Sequence, residues 1–229
     1  MKLIYTKRTI KRKNKNYTVV IPERAGRIVN NREEMLDADR KGLNAILMSA
    51  LIMIKNPNTI VYVPLKKPLA EIYYYPDYDY FYEEDKKTQA DMVFLHRAGQ
   101  LPISAWKEIR QSLKYTRGVK EIMKVDVDAA YEAGCIARGQ YEKTDHYYKS
   151  RDLFSFAIEY DTMFFSGGWY AFMDLFIDLK EMLDLPLENR IKGNFLNDYI
   201  YFYYDCKNPK IEGPELGFYD RSALTPRKA

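Results

Sequence analysis

Residues 30–64 of the sequence read NNREEMLDADRKGLNAILMSALIMIKNPNTIVYVP, and this stretch decides the fold. Asn30 and Asn31 are typical N-terminal caps of helices, because a short side-chain oxygen accepts hydrogen bonds from the backbone N–H groups of a first turn. Glu33 and Glu34 follow, where the helix dipole favours negative charge. The sequence therefore predicts that a long amphipathic helix begins at the two asparagines.

The same helix is predicted to end shortly before a buried strand. Apolar residues recur at helical spacing from Met35 to Ile54, and the apolar arc widens toward the carboxyl end. Pro57 stops the helix, since proline lacks an N–H and disfavours helical geometry at the residue before it. Residues 59–63 are rich in β-branched side chains, which favours a strand that is covered on both faces.

Composition bounds the class of protein. The 229 residues are 47% hydrophobic and include 21 tyrosines and 11 phenylalanines, which supplies a core and argues against disorder. Lysines and arginines number 36 against 32 acidic residues, which gives a net charge of +4. This mild excess of positive charge permits a nucleic-acid partner without requiring one.

Cysteine content and hydropathy indicate a cytoplasmic protein without a membrane partner. Cys135 and Cys206 are too few for a disulfide framework, so a reducing cytoplasm is the simpler expectation. The N-terminus is basic and polar, without the apolar segment of a signal peptide. The longest apolar run, residues 45–54, is about half of the roughly 20 residues that a membrane-spanning helix needs.

The N-terminal region predicts a basic β-hairpin. Residues 2–6 and 17–21 favour strands, and residues 27–29 a third one. Two interpretations of the basic turn stay open: a solvated tip that protects an edge strand from aggregation, or an arm that contacts phosphates. The second interpretation makes the cations of this run the candidate nucleic-acid-binding residues: Lys7, Arg8, Lys11, Arg12, Lys13 and Lys15.

A tyrosine-rich segment follows the anchor stretch. Residues 71–75 favour a short strand, and residues 76–84, PDYDYFYEE, are too irregular for an assignment. Asp77, with Glu84 and Lys86, matches the letters of a restriction-type nuclease motif, but an acidic surface loop is the simpler interpretation. The aromatic side chains of the segment form a candidate partner-binding surface: Tyr74, Tyr75, Tyr78 and Tyr80.

Three further helices and a strand are predicted before residue 140. Residues 87–97 indicate a helix. Ser104 is the expected N-terminal cap of the next helix. Residues 121–127 favour a strand by their alternation, and an alanine-rich helix follows over residues 128–138, which Gly139 ends.

The composition changes after residue 140, which predicts two domains, 1–140 and 141–229. The second is dense in aromatic residues, with a helix expected over 169–183 and a strand over 198–204. Prolines and glycines from residue 207 onward indicate a loose tail. We expect an α-rich C-terminal extension whose aromatic side chains form its core, since large aromatics are mostly buried.

The element order in residues 1–140 resembles the ribonuclease H fold. Ile4-Tyr5-Thr6 is similar to the first strand of that family, residues 30–34 to the start of its helix A, and residues 126–138 to its last helix. The resemblance implies an α/β fold: a ribonuclease H-like mixed sheet of five strands with flanking helices, to which the C-terminal extension is appended.

The resemblance also implies that the catalytic centre is degenerate. Active members hold two Mg²⁺ ions with four carboxylates, and these ions stabilise the attacking and leaving oxygens of phosphodiester hydrolysis. Lys7 and Pro64 stand where the family has two of those acids. Glu34, or its neighbour Glu33, matches the helix A glutamate, and Asp126 or Asp128 matches the last acid. We expect this residual acidic cluster to bind no metal or other cofactor, and capping of a helix is the simpler role for Asp128.

Three function classes follow. The first is a non-catalytic module on a ribonuclease H-like scaffold that binds or mimics nucleic acid. The second is a viral, phage or mobile-element protein, structural or host-factor-binding, that acts through protein contacts of its tyrosine-rich segment and C-terminal extension. The third is a metal-dependent nuclease. Salt-sensitive binding of nucleic acid separates the first class from the second, and metal-dependent cleavage identifies the third.

Overall fold

The computed structural model describes residues 1–23, 26, 28–30, 35–65, 72–74, 81–83, 90–99, 101–144, 154–184, 199–203 and 215–220. The strands are β1 Lys2–Arg12, β2 Lys15–Pro22, β3 Ile28–Asn30, β4 Met35–Ala38, β5 Thr59–Val63, β6 Ile72–Tyr74, β7 Phe81–Glu83, β8 Asp91–His96, β9 Val119–Lys124, β10 Ser155–Glu159, β11 Thr162–Gly167, β12 Tyr199–Tyr203 and β13 Glu215–Asp220. The helices are α1 Arg40–Lys55, α2 Ile103–Leu113, α3 Val127–Glu142 and α4 Trp169–Asp184, with a 3-10 turn at Arg97–Gly99.

A seven-stranded mixed sheet organises the described chain, in the order β10-β11-β8-β5-β2-β1-β9. β2 runs parallel to β5 and β8 parallel to β11, whereas the other neighbours are antiparallel. A four-stranded sheet, β12-β13-β4-β3, and a β6-β7 pair complete the described strands. The predicted α/β class is confirmed, with seven strands in the main sheet where five were expected.

Helices α1 and α4 pack against each other and contribute most of the core on one side of the sheet. α1 is buried without interruption from Ala45 to Met53, as its widening apolar arc predicts. Strand β5 is buried from Ile60 to Val63, which confirms the predicted strand covered on both faces. No helix in the described ranges is long and apolar enough to cross a membrane.

The opposite side of the sheet carries α2. Its Trp106 is fully buried, and the indole N–H donates to Thr162 Oγ1 at 3.1 Å. The same ring meets Tyr62 edge-on, with 5.1 Å between the ring centroids. The predicted helix is therefore present, but Pro102 is its N-terminal cap, without a side-chain hydrogen bond, and Ser104 is not.

The helix start predicted at Asn30 is wrong. α1 begins directly after Asp39, whose Oδ1 accepts a hydrogen bond from the Gly42 N–H at 2.6 Å. The preceding segment is strand β4, which pairs antiparallel with β3 and parallel with β13. The prediction fails because β13 lies far along the chain, and a local pattern carries no information about that partner. Glu34 lies outside the described residues.

Two other boundaries also differ from prediction. Residues 87–97 contain no α-helix where they are described, and strand β8 lies there near the centre of the sheet. Its residues from Met92 to Leu95 are all buried, and a short continuous apolar run fits a buried strand as well as a buried helix. Gly139 lies inside α3 and does not end it.

Strands from both sides of residue 140 share one sheet. β10 and β11 form an antiparallel hairpin, and β11 pairs parallel with β8. β12 confirms the strand predicted over 198–204, and its partner β13 lies in the segment predicted to be a loose tail. Four described strands thus accompany α4 after residue 140, against the α-rich extension that the composition predicts.

A partly buried ionic cluster joins α3 to α4. Arg138 Nη1 donates to Asp174 Oδ1 at 2.9 Å and to Asp178 Oδ1 at 3.0 Å. Burial and the neighbouring Asp174 charge raise the pKa of Asp178 to about 7, although Arg138 opposes the shift. Burial raises the pKa of Asp174 in the same direction, and the charges of Glu142 and Glu181 add to it.

We expect Asp178 to make folding stability fall between about pH 4 and about pH 8. The folded pKa lies above the ordinary value of 3.8, so the folded chain holds this proton more tightly, and the stabilisation is lost as the pH rises through about 7. Asp178→Asn removes the titration. The difference between its urea midpoint and that of the wild type should therefore increase in favour of the variant as the pH rises from mildly acidic to mildly alkaline. The exposed control Glu132→Gln should show the same pH dependence as the wild type. Parallel curves for all three proteins would contradict this assignment.

Candidate nucleic-acid interface

The predicted β-hairpin is confirmed, and its basic run lies mostly within the first strand. β1 and β2 pair antiparallel up to a last pair, Arg12 with Lys15. Lys13 and Asn14 form the turn, where Lys13 adopts a left-handed backbone with φ of 51°. We call residues 11–16 the hairpin tip.

Alternation along β1 divides the predicted nucleic-acid-binding cations between the two faces of the sheet. Lys7 and Lys11 lie on the side of α1 and α4, whereas Arg8 and Arg12 lie on the side of α2. Lys7 Nζ lies 3.4 Å from Glu121 Oε1 on the neighbouring strand β9, so its charge is partly neutralised.

Both arginines of the basic run contact α2 and the residues that follow it. Arg8 Nη1 donates to the backbone carbonyl oxygens of Leu113 and Thr116, the latter at 2.6 Å. Arg12 forms two hydrogen bonds with the Glu108 carboxylate, at 2.6 and 3.0 Å. These contacts connect the helix to β1. The sequence predicted that both guanidinium groups bind phosphates, whereas in the structure they bind α2 and the residues after it.

The positive charge of the hairpin tip that is not paired with Glu108 is carried by three lysines. Lys11 and Lys13 are exposed. Lys15 Nζ donates to the Gly99 carbonyl oxygen at 3.1 Å and lies 5.4 Å from the centre of the Tyr17 ring. Lys15 is thereby held at the mouth of a cleft, while the other two lysines extend into solvent.

This cleft has a volume of about 150 Å³ and lies where β2 begins and β8 ends. It is smaller than the roughly 300 Å³ at which sites for drug-sized ligands begin, so it has room for one small polar or anionic group. The polar residues that line it are Lys15, Asn16, Tyr17, Asn58, Thr59 and His96.

His96 lies at the end of β8 beside the cleft, and its ring stacks on Phe172 of α4, with 6.3 Å between the ring centroids. Its Nδ1 accepts from the Ala98 N–H at 3.1 Å, which assigns the proton of the neutral ring to Nε2. Burial lowers the pKa of His96, so the imidazole is uncharged near neutral pH. His96 therefore adds no positive charge to this end of the sheet.

A second cationic surface, which sequence reasoning missed, lies on the loop 114–118 between α2 and β9. Tyr115 is 84% exposed in this loop. Lys114 and Arg117 beside it are exposed as well. The signal was readable in the sequence as KYTRG, an aromatic residue among cations directly after an amphipathic helix.

Two members of the predicted acidic cluster have structural partners. Asp126 Oδ1 accepts from the Ala129 N–H at 3.2 Å and caps α3, the role that the sequence analysis gave to Asp128. Asp128 Oδ1 lies 2.8 Å from Lys180 Nζ. Glu34 lies outside the described residues. Within the described ranges, no group of three or more His, Cys, Asp and Glu side chains is placed to hold a metal ion.

The predicted partner-binding tyrosines lie almost entirely outside the described residues. Tyr74 is the last residue of β6, which pairs antiparallel with β7. Tyr75, Tyr78 and Tyr80 belong to the part of the chain that is not described. The letters of the restriction-type motif fall there too, so both assignments stay predictions.

The hairpin tip, the cleft and the loop 114–118 therefore form the candidate site. No protein-family model, curated protein or solved structure matches this chain. The ribonuclease H-like resemblance accordingly stays a prediction, and function is argued below from the described side chains.

We expect Arg8→Ala to lower the free energy of unfolding by about 2 kcal/mol, because hydrogen bonds from a charged donor are worth about 1.5–3 kcal/mol. The variant leaves the carbonyl oxygens of Leu113 and Thr116 without their donor. Lys11→Ala on the same strand is the matched control and should change stability by less than about 0.5 kcal/mol. Equal urea midpoints for the two variants would show that Arg8 does not fasten α2.

Proposed function

We propose that this chain binds nucleic acid through its backbone phosphates, without hydrolysing it. The observation that carries the proposal is a set of exposed or solvent-facing cations on the hairpin tip and on the loop 114–118. We call this set the cationic strip: Lys13, Lys15, Lys114 and Arg117, together with Lys11, whose side chain lies on the other face of β1. Phosphate groups attract such a strip because each contact releases counterions from the nucleic acid.

The two ends of the strip are linked through β1. Arg12 lies at the tip, and Arg8 contacts the loop through the Thr116 carbonyl oxygen. Four strand positions separate these two residues, a distance of about 13 Å at 3.3 Å per residue. Glu108 is the acid that the structure places against the tip, and two hydrogen bonds to Arg12 neutralise it.

Binding without hydrolysis is supported by the partners of the residues at the expected catalytic positions. Lys7 pairs with Glu121, Asp126 caps a helix, and Asp128 pairs with Lys180. Carboxylates that hold metal ions for phosphodiester hydrolysis must instead converge on one point. Among the described residues, no three such side chains are placed to hold a metal ion.

Replacing Lys11, Lys13 and Lys15 together with Ala should weaken binding to a labelled oligonucleotide at least tenfold. Three lost phosphate contacts should also lower the slope of log affinity against log salt concentration by about 2 for a single strand, at about 0.7 per contact. Fluorescence anisotropy at several salt concentrations in EDTA measures both quantities. Single-stranded DNA, duplex DNA and an RNA–DNA hybrid are the probes.

The matched control replaces Lys2, Lys124 and Lys143, which are exposed outside the strip, so that the net charge changes equally. The proposal requires this control to keep an affinity close to that of the wild type. Equal losses in both triple variants would indicate an effect of net charge alone. Absence of salt-sensitive binding by the wild type, or cleavage of the probe after Mg²⁺ is added, would overturn the proposal.

A second candidate function, binding of a protein partner, is favoured by strand β9. It is the terminal strand of the seven-stranded sheet in the described chain, and its Val119 and Ile122 are exposed. The terminal strand of a sheet presents backbone N–H and C=O groups that can pair with another strand. If this function holds, light scattering should find self-association that Ile122→Lys abolishes. A monomer at all concentrations, together with salt-sensitive nucleic-acid binding, would leave the first function alone.

A further inference from the structure

Tyr115 is held in solvent by a fixed loop. Its ring is 84% exposed, more than any other large hydrophobic side chain in the described ranges. The backbone beneath it is tied down on both sides: the Tyr115 N–H donates to the Ser112 carbonyl oxygen at 3.1 Å, and Arg8 donates to the Thr116 carbonyl oxygen at 2.6 Å. The Thr116 hydroxyl also donates to Ser112 O, at 2.8 Å.

The packing of Gly118 strengthens this restraint. A Cβ at that position would lie 2.3 Å from Thr6 Cγ2, so the end of the loop rests directly on β1. A large aromatic ring that a restrained backbone keeps out of the core is preorganised for contact with another molecule. The chemistry of that molecule is indicated by the neighbours of the ring.

Lys114 and Arg117 lie on either side of Tyr115 in the sequence, both are exposed, and the loop 114–118 contains no acid. An aromatic face between cations suits a chain of planar bases joined by phosphates, because every base has a π-face that can stack. We infer that Tyr115 is a stacking platform for an unpaired base, so that the chain prefers single-stranded nucleic acid. This inference rests on the proposed function and specifies its substrate class.

The geometry also specifies a minimum length for the single strand. The loop and the hairpin tip lie about 13 Å apart along β1. About four stacked nucleotides cover that distance, at 3.4 Å each. Oligothymidines shorter than this should therefore lose the contribution of either Tyr115 or the tip lysines. In a duplex, both faces of each base are covered by neighbouring pairs, so Tyr115 has no face to stack on.

The test compares Tyr115→Ala, Tyr115→Phe and the matched control Tyr160→Ala, which removes an exposed tyrosine at another turn. Anisotropy with labelled oligothymidine and with a labelled duplex should give roughly a 5- to 100-fold loss for Tyr115→Ala on the single strand alone, from the usual strength of base stacking. Tyr115→Phe keeps the ring and should bind within about twofold of the wild type, as should Tyr160→Ala.

Each result decides between the two proposals. Unchanged single-strand affinity in Tyr115→Ala, with loss in the variant of Lys11, Lys13 and Lys15, overturns the stacking platform and keeps the proposed function. Equal losses on single strand and duplex also overturn stacking. Loss of binding in Tyr115→Phe assigns the effect to the hydroxyl and not the ring. No salt-sensitive binding by the wild type overturns both proposals.

Discussion

The hydrogen bonds of Arg8 connect the scaffold of this protein to its candidate site. One guanidinium group reaches from β1 to the carbonyl oxygens at the carboxyl end of α2. Helix C-termini leave such oxygens without intrahelical donors, so a cation there satisfies both charge and geometry. The same contact sets the position of the loop 114–118. In the sequence, Arg8 is one of several cations in a basic run; in the structure, it holds the loop that carries Lys114 and Arg117.

The parts of the fold that local chemistry determines were predictable. Pro57 marks the end of α1, the β-branched run marks β5, and the alternating strands around the basic turn mark the hairpin. The segment of β4 and the segment of β8 were not predictable in the same way. β4 is a strand because β13 pairs with it from the far end of the chain, and β8 is a strand because the sheet surrounds it.

The candidate site likewise has a part that the local sequence predicts and a part that depends on distant contacts. A run of charges identifies the hairpin as basic, but the sequence cannot distinguish Arg8 and Arg12, which bind α2, from Lys11 and Lys13, which extend into solvent. That distinction depends on Leu113, Thr116 and Glu108, about a hundred positions away. The exposed aromatic residue among cations in the loop 114–118 was visible in the sequence. The hydrogen bonds by which Arg8 holds that loop were not.

The salt dependence of oligothymidine binding by the wild-type chain tests the central claim most directly. Contact of the five cations of the strip with phosphates predicts that log affinity falls linearly with log salt concentration, with a slope near −3.5 at about −0.7 per contact. Binding that does not weaken as salt rises, or no binding at low salt, would contradict the claim that this surface recognises nucleic acid.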